Sequence, residues 1–308
     1  MVETTGDGYA ELLDPRALSR MGNLELIARQ VVEGFVSGRH RSALKGFSVE
    51  FAEHREYTPG DEIRNIDWRV YAKSDRYYIK QYEQETNLRA YLLVDASGSM
   101  KFAGEASGGV SKFRYAQMLA ACLASLLLRQ QDAVGLVTFD TQVRRYIPPR
   151  SQALHLRAML NELHATEPGA ETSLAGVFHD IAERIRQRGL VIILSDCFDD
   201  PLALRNALHH FRHRRHEVIL LHLMALEERT FPFRSWMRFR DLETAGRELL
   251  LDPQGVREAY LREVREFLAA VKRGCDELEI DYVSIDTSRS FDDTLLWYLG
   301  WREARARR

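Results

Sequence analysis

The chain has 308 residues, 45% hydrophobic and 29% charged, enough to bury one large α/β domain with appendages or two ordinary domains, and too apolar for a disordered chain. Lys and Arg total 43 against 45 Asp and Glu, so the net charge of -2 gives no global field for collecting nucleic acid or an anionic membrane surface. The longest apolar stretch, Met118 to Leu128 with Ser125 inside it, is far short of the roughly 20 residues that cross a bilayer. The first residues, Met1 to Asp7, lack the basic-then-apolar layout of a secretion signal. Cys122, Cys197 and Cys275 are odd in number and too scattered for a zinc ribbon, so a cytoplasmic protein with free thiols is expected.

In chain order, residues 1–46 read as a helical segment, with a helix near Ala17 to Phe35. Residues 47–88 read as a small β-rich subdomain, holding the strand-like Tyr77 to Tyr82 and a Pro59-Gly60-Asp61 turn. Its Arg55, Arg64, Asp61 and Asp67 are expected to pair internally. From 89 to 308 short apolar runs alternate with amphipathic stretches. The runs are Ala90–Val94, Ala133–Phe139, Leu190–Leu194, Val218–Leu223 and Tyr282–Ile285, continuously apolar as strands buried on both faces are.

Between them the expected helices have recognisable starts. Ser111 caps a helix over Lys112 to Arg129, Ser151 one to about His164, Thr172 or Ser173 one to about Gln187, and Asp200-Pro201 one to about Arg212. A long helix follows from Gln254 to about Glu277, after a β-hairpin inserted near 237–251. Strand–helix alternation of this kind predicts an α/β fold: a doubly wound, mostly parallel sheet with helices on both faces.

The sharpest chemical feature follows the first core strand, Asp95-Ala96-Ser97-Gly98-Ser99-Met100. In open α/β sheets that position is the ligand crevice at the carboxyl ends of the strands. Alternate residues of an extended chain share a face, so Asp95, Ser97 and Ser99 can address one spot. Their oxygens are hard donors, suited to Mg²⁺ or Mn²⁺ rather than zinc. The same residues also suit a capped strand–helix turn. Strand 190–194 ends in Ser195-Asp196, which puts a second carboxylate at the same sheet edge, and Gly169 to Leu174 is a loop delivering Thr172 at a helix start.

The set Asp95, Ser97, Ser99, Thr172 and Asp196 resembles the metal-ion-dependent adhesion site of von Willebrand factor A domains in order, spacing and context. The resemblance implies direct metal contacts from Ser97, Ser99 and Thr172, with Asp95 and Asp196 acting largely through bound water. It also implies an open coordination position that takes a partner's carboxylate. A second resemblance rests on Gly38 to Ser42, Phe51, Arg55 to Asp61, Arg64 to Trp68 and Lys80 to Glu85, which run in order into the metal motif. These are similar to domain-of-unknown-function family 58, whose members are bacterial and typically encoded beside MoxR-type AAA+ ATPases. Many relatives carry membrane segments, and no such role is expected here.

The expected function is therefore a non-catalytic, Mg²⁺- or Mn²⁺-dependent protein-interaction module. Its expected partner is a MoxR-type AAA+ ATPase or a client of one, gripped through an acidic side chain. The alternative is a metal-dependent phosphohydrolase, but where haloacid dehalogenase-type enzymes carry a second aspartate this chain has Ser97. No Gly-x-Ser-x-Gly elbow and no phosphate-binding Gly-Lys-Ser/Thr loop is present. Other features read blandly. Asp200 is a cap, His209 and His213 belong to a solvated basic helix face, Cys197 is a small buried filler, and Arg302 to Arg308 is a solvated tail.

Overall fold

The computed structural model describes residues 54–56, 78–80, 88–169, 174–244 and 246–290, together with parts of 294–304. The expected helix near Ala17 to Phe35, the Pro59–Asp61 turn, Thr172 and the arginine tail lie outside the described residues. Of the expected β-rich subdomain, the described part is one antiparallel pair, β1 (His54–Glu56) with β2 (Tyr78–Lys80).

The core is a mixed α/β layer structure around a six-stranded sheet. Its strands are β3 (Arg89–Asp95), β4 (Ala133–Phe139), β5 (Val143–Arg150), β6 (Leu190–Ser195), β7 (Glu217–Met224) and β10 (Asp281–Asp286). They lie in the order β10-β7-β6-β3-β4-β5, all pairs parallel except β4 with β5. The chain reverses direction at β3, which has β4 on one side and β6 on the other. In such sheets the crevice outside the strand ends at this point receives ligands.

The alternation of side chains along β3 explains its unbroken apolar sequence. Leu92 and Val94 enter one buried cluster with α1 (Lys112–Arg129) and α2 (Ala153–Ala165), while Tyr91 and Leu93 enter a second with α3 (Leu174–Arg184), α4 (Pro201–His213) and α6 (Pro253–Glu277). Helices thus cover both faces, and from Ala90 to Asp95 each residue of β3 is removed from water whichever way it points. Phe178 of α3 fixes the second layer, packing edge-on between Phe139 and Phe211. No helix among the described residues is long and apolar enough to cross a membrane.

The helix starts follow local chemistry. Ser111 accepts from the Arg114 N–H, and Asp200 accepts from Ala203 N–H with Pro201 in the first turn. Two details depart from expectation. The residue preceding α2 is Gln152 rather than Ser151, and it makes no side-chain cap; α3 ends at Arg184 rather than near Gln187. Strand β5 was not among the expected strands; it carries Arg144-Arg145 and Pro148-Pro149. It is tolerated as an antiparallel edge strand, with a register shift against Val134–Leu136 of β4 where its prolines fall.

The inserted hairpin is β8 (Met237–Arg240) against β9 (Glu248–Leu251), joined by a turn in which Gly246 takes φ +82, a conformation that favours glycine. Phe239 stacks on Phe231, and both contact Phe233, while Phe231 also meets Tyr260 of α6. This aromatic cluster pins the hairpin to the body of the domain beside α5 (Leu226–Thr230).

Candidate metal centre at the strand ends

Asp95 closes β3 and Asp196 immediately follows β6, the neighbouring parallel strand, so both carboxylates stand at one edge of the sheet. Asp95 and Ser97 are fully buried and Asp196 is 5% exposed. The Asp95 carboxylate accepts the Ser97 N–H at 2.9 Å and the Ser195 hydroxyl at 2.5 Å. Ser195 Oγ in turn accepts the Cys197 N–H at 2.8 Å. Cys197 sits at φ 53, a left-handed turn that bends the chain sharply away from β6. The hydroxyls of Ser97 and Ser99 are 3.2 Å apart.

Four of the five expected ligands are therefore gathered in one place: Asp95, Ser97, Ser99 and Asp196. Thr172 lies outside the described residues. Its described flanks are both tied to the crevice, since Gly169 N donates to Ala96 O at 2.5 Å and Leu174 N donates to Asp199 Oδ2 at 2.9 Å. Asp199 thus satisfies the first N–H of α3 from outside the helix.

Sequence reasoning missed the residues that set the charge of this centre. Lys112, the first residue of α1, is buried, with Nζ 2.7 Å from Asp196 Oδ2 and 2.6 Å from Glu228 Oε1. Glu228 belongs to α5, and its other oxygen accepts the Ala225 N–H. His222 of β7 is buried beneath Asp196; its Nε2 bonds the Asp196 carbonyl and its Nδ1 the Tyr282 hydroxyl. A lysine at a helix start works against the helix dipole, which was the available signal for an uncommon charge partner there.

The two aspartates are pushed in opposite directions. Burial, and after it the Asp196 charge, push the Asp95 carboxyl up to about 7. Burial also works against the Asp196 carboxylate, but the Lys112 ammonium and hydrogen bonds from Lys112, Ser99 and the Phe198 N–H outweigh it and hold its pKa below the ordinary value. Burial outweighs pairing at Glu228, whose carboxyl is raised, whereas at Lys112 the two carboxylates win and the ammonium is retained. Burial drives His222 down to about 4, so it is neutral.

The donors fit a hard divalent cation. They are all oxygen, two are hydroxyls, and the buried Asp95 lacks a Lys or Arg partner among the described residues, so a cation would relieve its charge. Among the described residues no three His, Cys, Asp or Glu side chains group as a metal cage, so any ion here would depend on the serine hydroxyls. Over the crevice opens a cleft of about 350 Å³, with Ser99, Lys112 and Glu228 among its polar residues and Phe198, Phe239 and Leu249 among its apolar ones. Phe198 and Leu249 are 65% and 60% exposed, apolar surface left bare beside the polar centre.

Comparison with known proteins places this crevice in a family context. A family model described as "Protein of unknown function DUF58" matches residues 53–269. The chain is 29% identical over 273 residues to "Uncharacterized protein Rv1480" of Mycobacterium tuberculosis and to "Uncharacterized protein Mb1516" of Mycobacterium bovis, covering 85% of this chain and 83% of theirs. Among solved structures it is similar to the conserved hypothetical protein BatB from Bacteroides thetaiotaomicron, at TM-score 0.43 and 15% identity over 69% of this chain and 98% of that one. A likeness to the pilus adhesin SpaC from Lactobacillus rhamnosus GG has TM-score 0.40 and 12% identity, over 72% of this chain and 31% of that one. Both structural likenesses are too distant to bear on function.

Proposed function

The chain belongs to the DUF58 family, and from that premise and the geometry of the crevice we propose that it is a non-catalytic, divalent-cation-dependent protein-interaction module. The site is read as similar to the metal-ion-dependent adhesion site of von Willebrand factor A domains, with Asp95, Ser97, Ser99 and Asp196, joined by Thr172, holding Mg²⁺ or Mn²⁺. The observation that carries this reading is the pairing of two buried carboxylates at adjacent strand ends with two hydroxyls 3.2 Å apart, an oxygen-only donor set. When bound, such an ion supplies Lewis acidity toward an incoming oxygen ligand, here an Asp or Glu side chain of a partner protein.

The chain's own residues support binding over turnover. A general acid or base must be free to exchange a proton with a reacting group. Lys112 is committed to Asp196 and Glu228, and both ring nitrogens of His222 are engaged. Ser195 donates to Asp95 and accepts from Cys197 N, which orients the carboxylate without leaving a free nucleophile. Phe198 and Leu249 offer the exposed apolar area that an interface core requires. By family resemblance the partner is a MoxR-type AAA+ ATPase or its client, in the cytoplasm.

Affinity capture with purified MoxR-type ATPase as prey tests the reading. Retention in Mg²⁺ that is lost in chelator and with Ser97→Ala/Ser99→Ala is expected. Metal-dependent hydrolysis of a phosphate ester that disappears with Asp95→Asn would replace it with a phosphohydrolase.

A further inference from the structure

Lys112 is out of place by ordinary rules. Lysine is almost never fully buried unless paired, and a cation at a helix start opposes the dipole. Yet its side chain is 2% exposed, and its ammonium bridges two carboxylates from separate elements, Asp196 after β6 and Glu228 on α5. Asp196 Oδ1 accepts a backbone N–H from Phe198, so the oxygen that Lys112 holds, Oδ2, is the one not given to the backbone. The ammonium therefore already occupies the Asp196 oxygen most open to an incoming ion or its bound water.

The charges make the rivalry specific. Asp196 and Glu228 bring two carboxylates against the single Lys112 ammonium, and Asp95 adds a third carboxyl with no Lys or Arg partner among the described residues. The ammonium has somewhere to go, because Glu228 already holds it from the other side at 2.6 Å. Glu228 is also fixed in place, through Oε2 on the Ala225 N–H and its own carbonyl on the Tyr260 hydroxyl.

We infer that Lys112 is a built-in rival cation of this centre: it neutralises Asp196 when no ion is present and passes to Glu228 when one binds. This rests on the divalent-cation reading above. The Lys112–Glu228 pair then sets the ion affinity, and ion loading is felt at α5, next to the hairpin that borders the cleft. Lys112 is in this sense a positioning and affinity-setting residue rather than a ligand.

The test is Mn²⁺ titration calorimetry at pH 7.5 on the full chain, comparing wild type, Lys112→Met and Glu228→Gln. Lys112→Met is expected to tighten Mn²⁺ binding tenfold or more, because Asp196 loses its competitor. Glu228→Gln is expected to weaken it several-fold, because the ammonium keeps only Asp196. Equal or weaker binding by Lys112→Met would make Lys112 a strut for Asp196 and overturn the inference, with the cation reading intact. No Mn²⁺ binding by wild type or either variant would overturn both. Should Lys112→Met fail to fold, wild-type protein labelled with ¹⁵N at lysine Nζ carries the test. Addition of Mg²⁺ should shift the Lys112 ammonium resonance, and ion binding without a shift would overturn the handover.

Discussion

Replacing either aspartate of the crevice by its isosteric amide should change stability in opposite directions. Asp95 is buried, faces the Asp196 charge and has its carboxyl raised from 3.8 to about 7. An acid whose folded pKa is raised adds stability below its unfolded pKa and loses it as pH climbs through the folded value. The gap of about 3 units, at 1.36 kcal/mol each, sets a ceiling of about 4 kcal/mol on what the ionised group costs at pH 8. Asn at this position keeps an acceptor for the Ser97 N–H and gains a donor toward Ser195 Oγ. Asp95→Asn should therefore stabilise the metal-free protein by roughly 1–3 kcal/mol at pH 8, and by much less below pH 4. Asp196→Asn instead strips Lys112 of one carboxylate, with Glu228 remaining, and should destabilise by about 2 kcal/mol or more. Urea denaturation in chelator, at pH 8 and again near pH 4, measures both. If Asp95→Asn is no more stable than wild type at pH 8, the electrostatic account of the crevice is wrong.

Protons compete with the ion at Asp95, so Mg²⁺ affinity measured by calorimetry should fall about tenfold between pH 8 and pH 6, with proton uptake by buffer marking the release. Ser97→Ala/Ser99→Ala should cost the metal-free protein about 1 kcal/mol while abolishing the rise in Tm that wild type shows with Mn²⁺, a rise equivalent to about 2.7 kcal/mol at a hundredfold excess over Kd. Asp200→Ala, which removes the α4 cap without removing any of the expected donors, should lower stability by about 1 kcal/mol in denaturant melts and leave Mn²⁺ affinity unchanged.

Much of this architecture is written in local chemistry. Four of the parallel strands are legible because each is buried on both faces and so has no polar alternation, as at Leu190–Leu194, while the edge strand β10 is only partly buried. Asp95 and Asp196 are legible as a pair because each ends such a strand, although only the strand order, with β3 beside β6, makes them neighbours. Strand β5 was hidden by its composition. At an edge, half-exposed Arg144 and Arg145 and two prolines are tolerated, and the same residues would spell a loop anywhere else. Lys112 was hidden for another reason. Its partners lie 84 and 116 residues away, and although a lysine just after a serine cap opposes the helix dipole, nothing local says which carboxylates it meets. Glu228 was equally silent, since a glutamate in the first turn of a short helix is ordinary and only the fold brings it to the lysine.

Direct measurement of ion binding tests the central claim. Titration of Mn²⁺ into the metal-free full chain at pH 7.5, followed by the loss of free-ion electron paramagnetic resonance signal, should show one ion per chain. Mg²⁺ should displace it, and Ser97→Ala/Ser99→Ala should remove it. A free-Mn²⁺ signal that rises in step with the added ion in the wild type, as it does in buffer alone, would contradict the account.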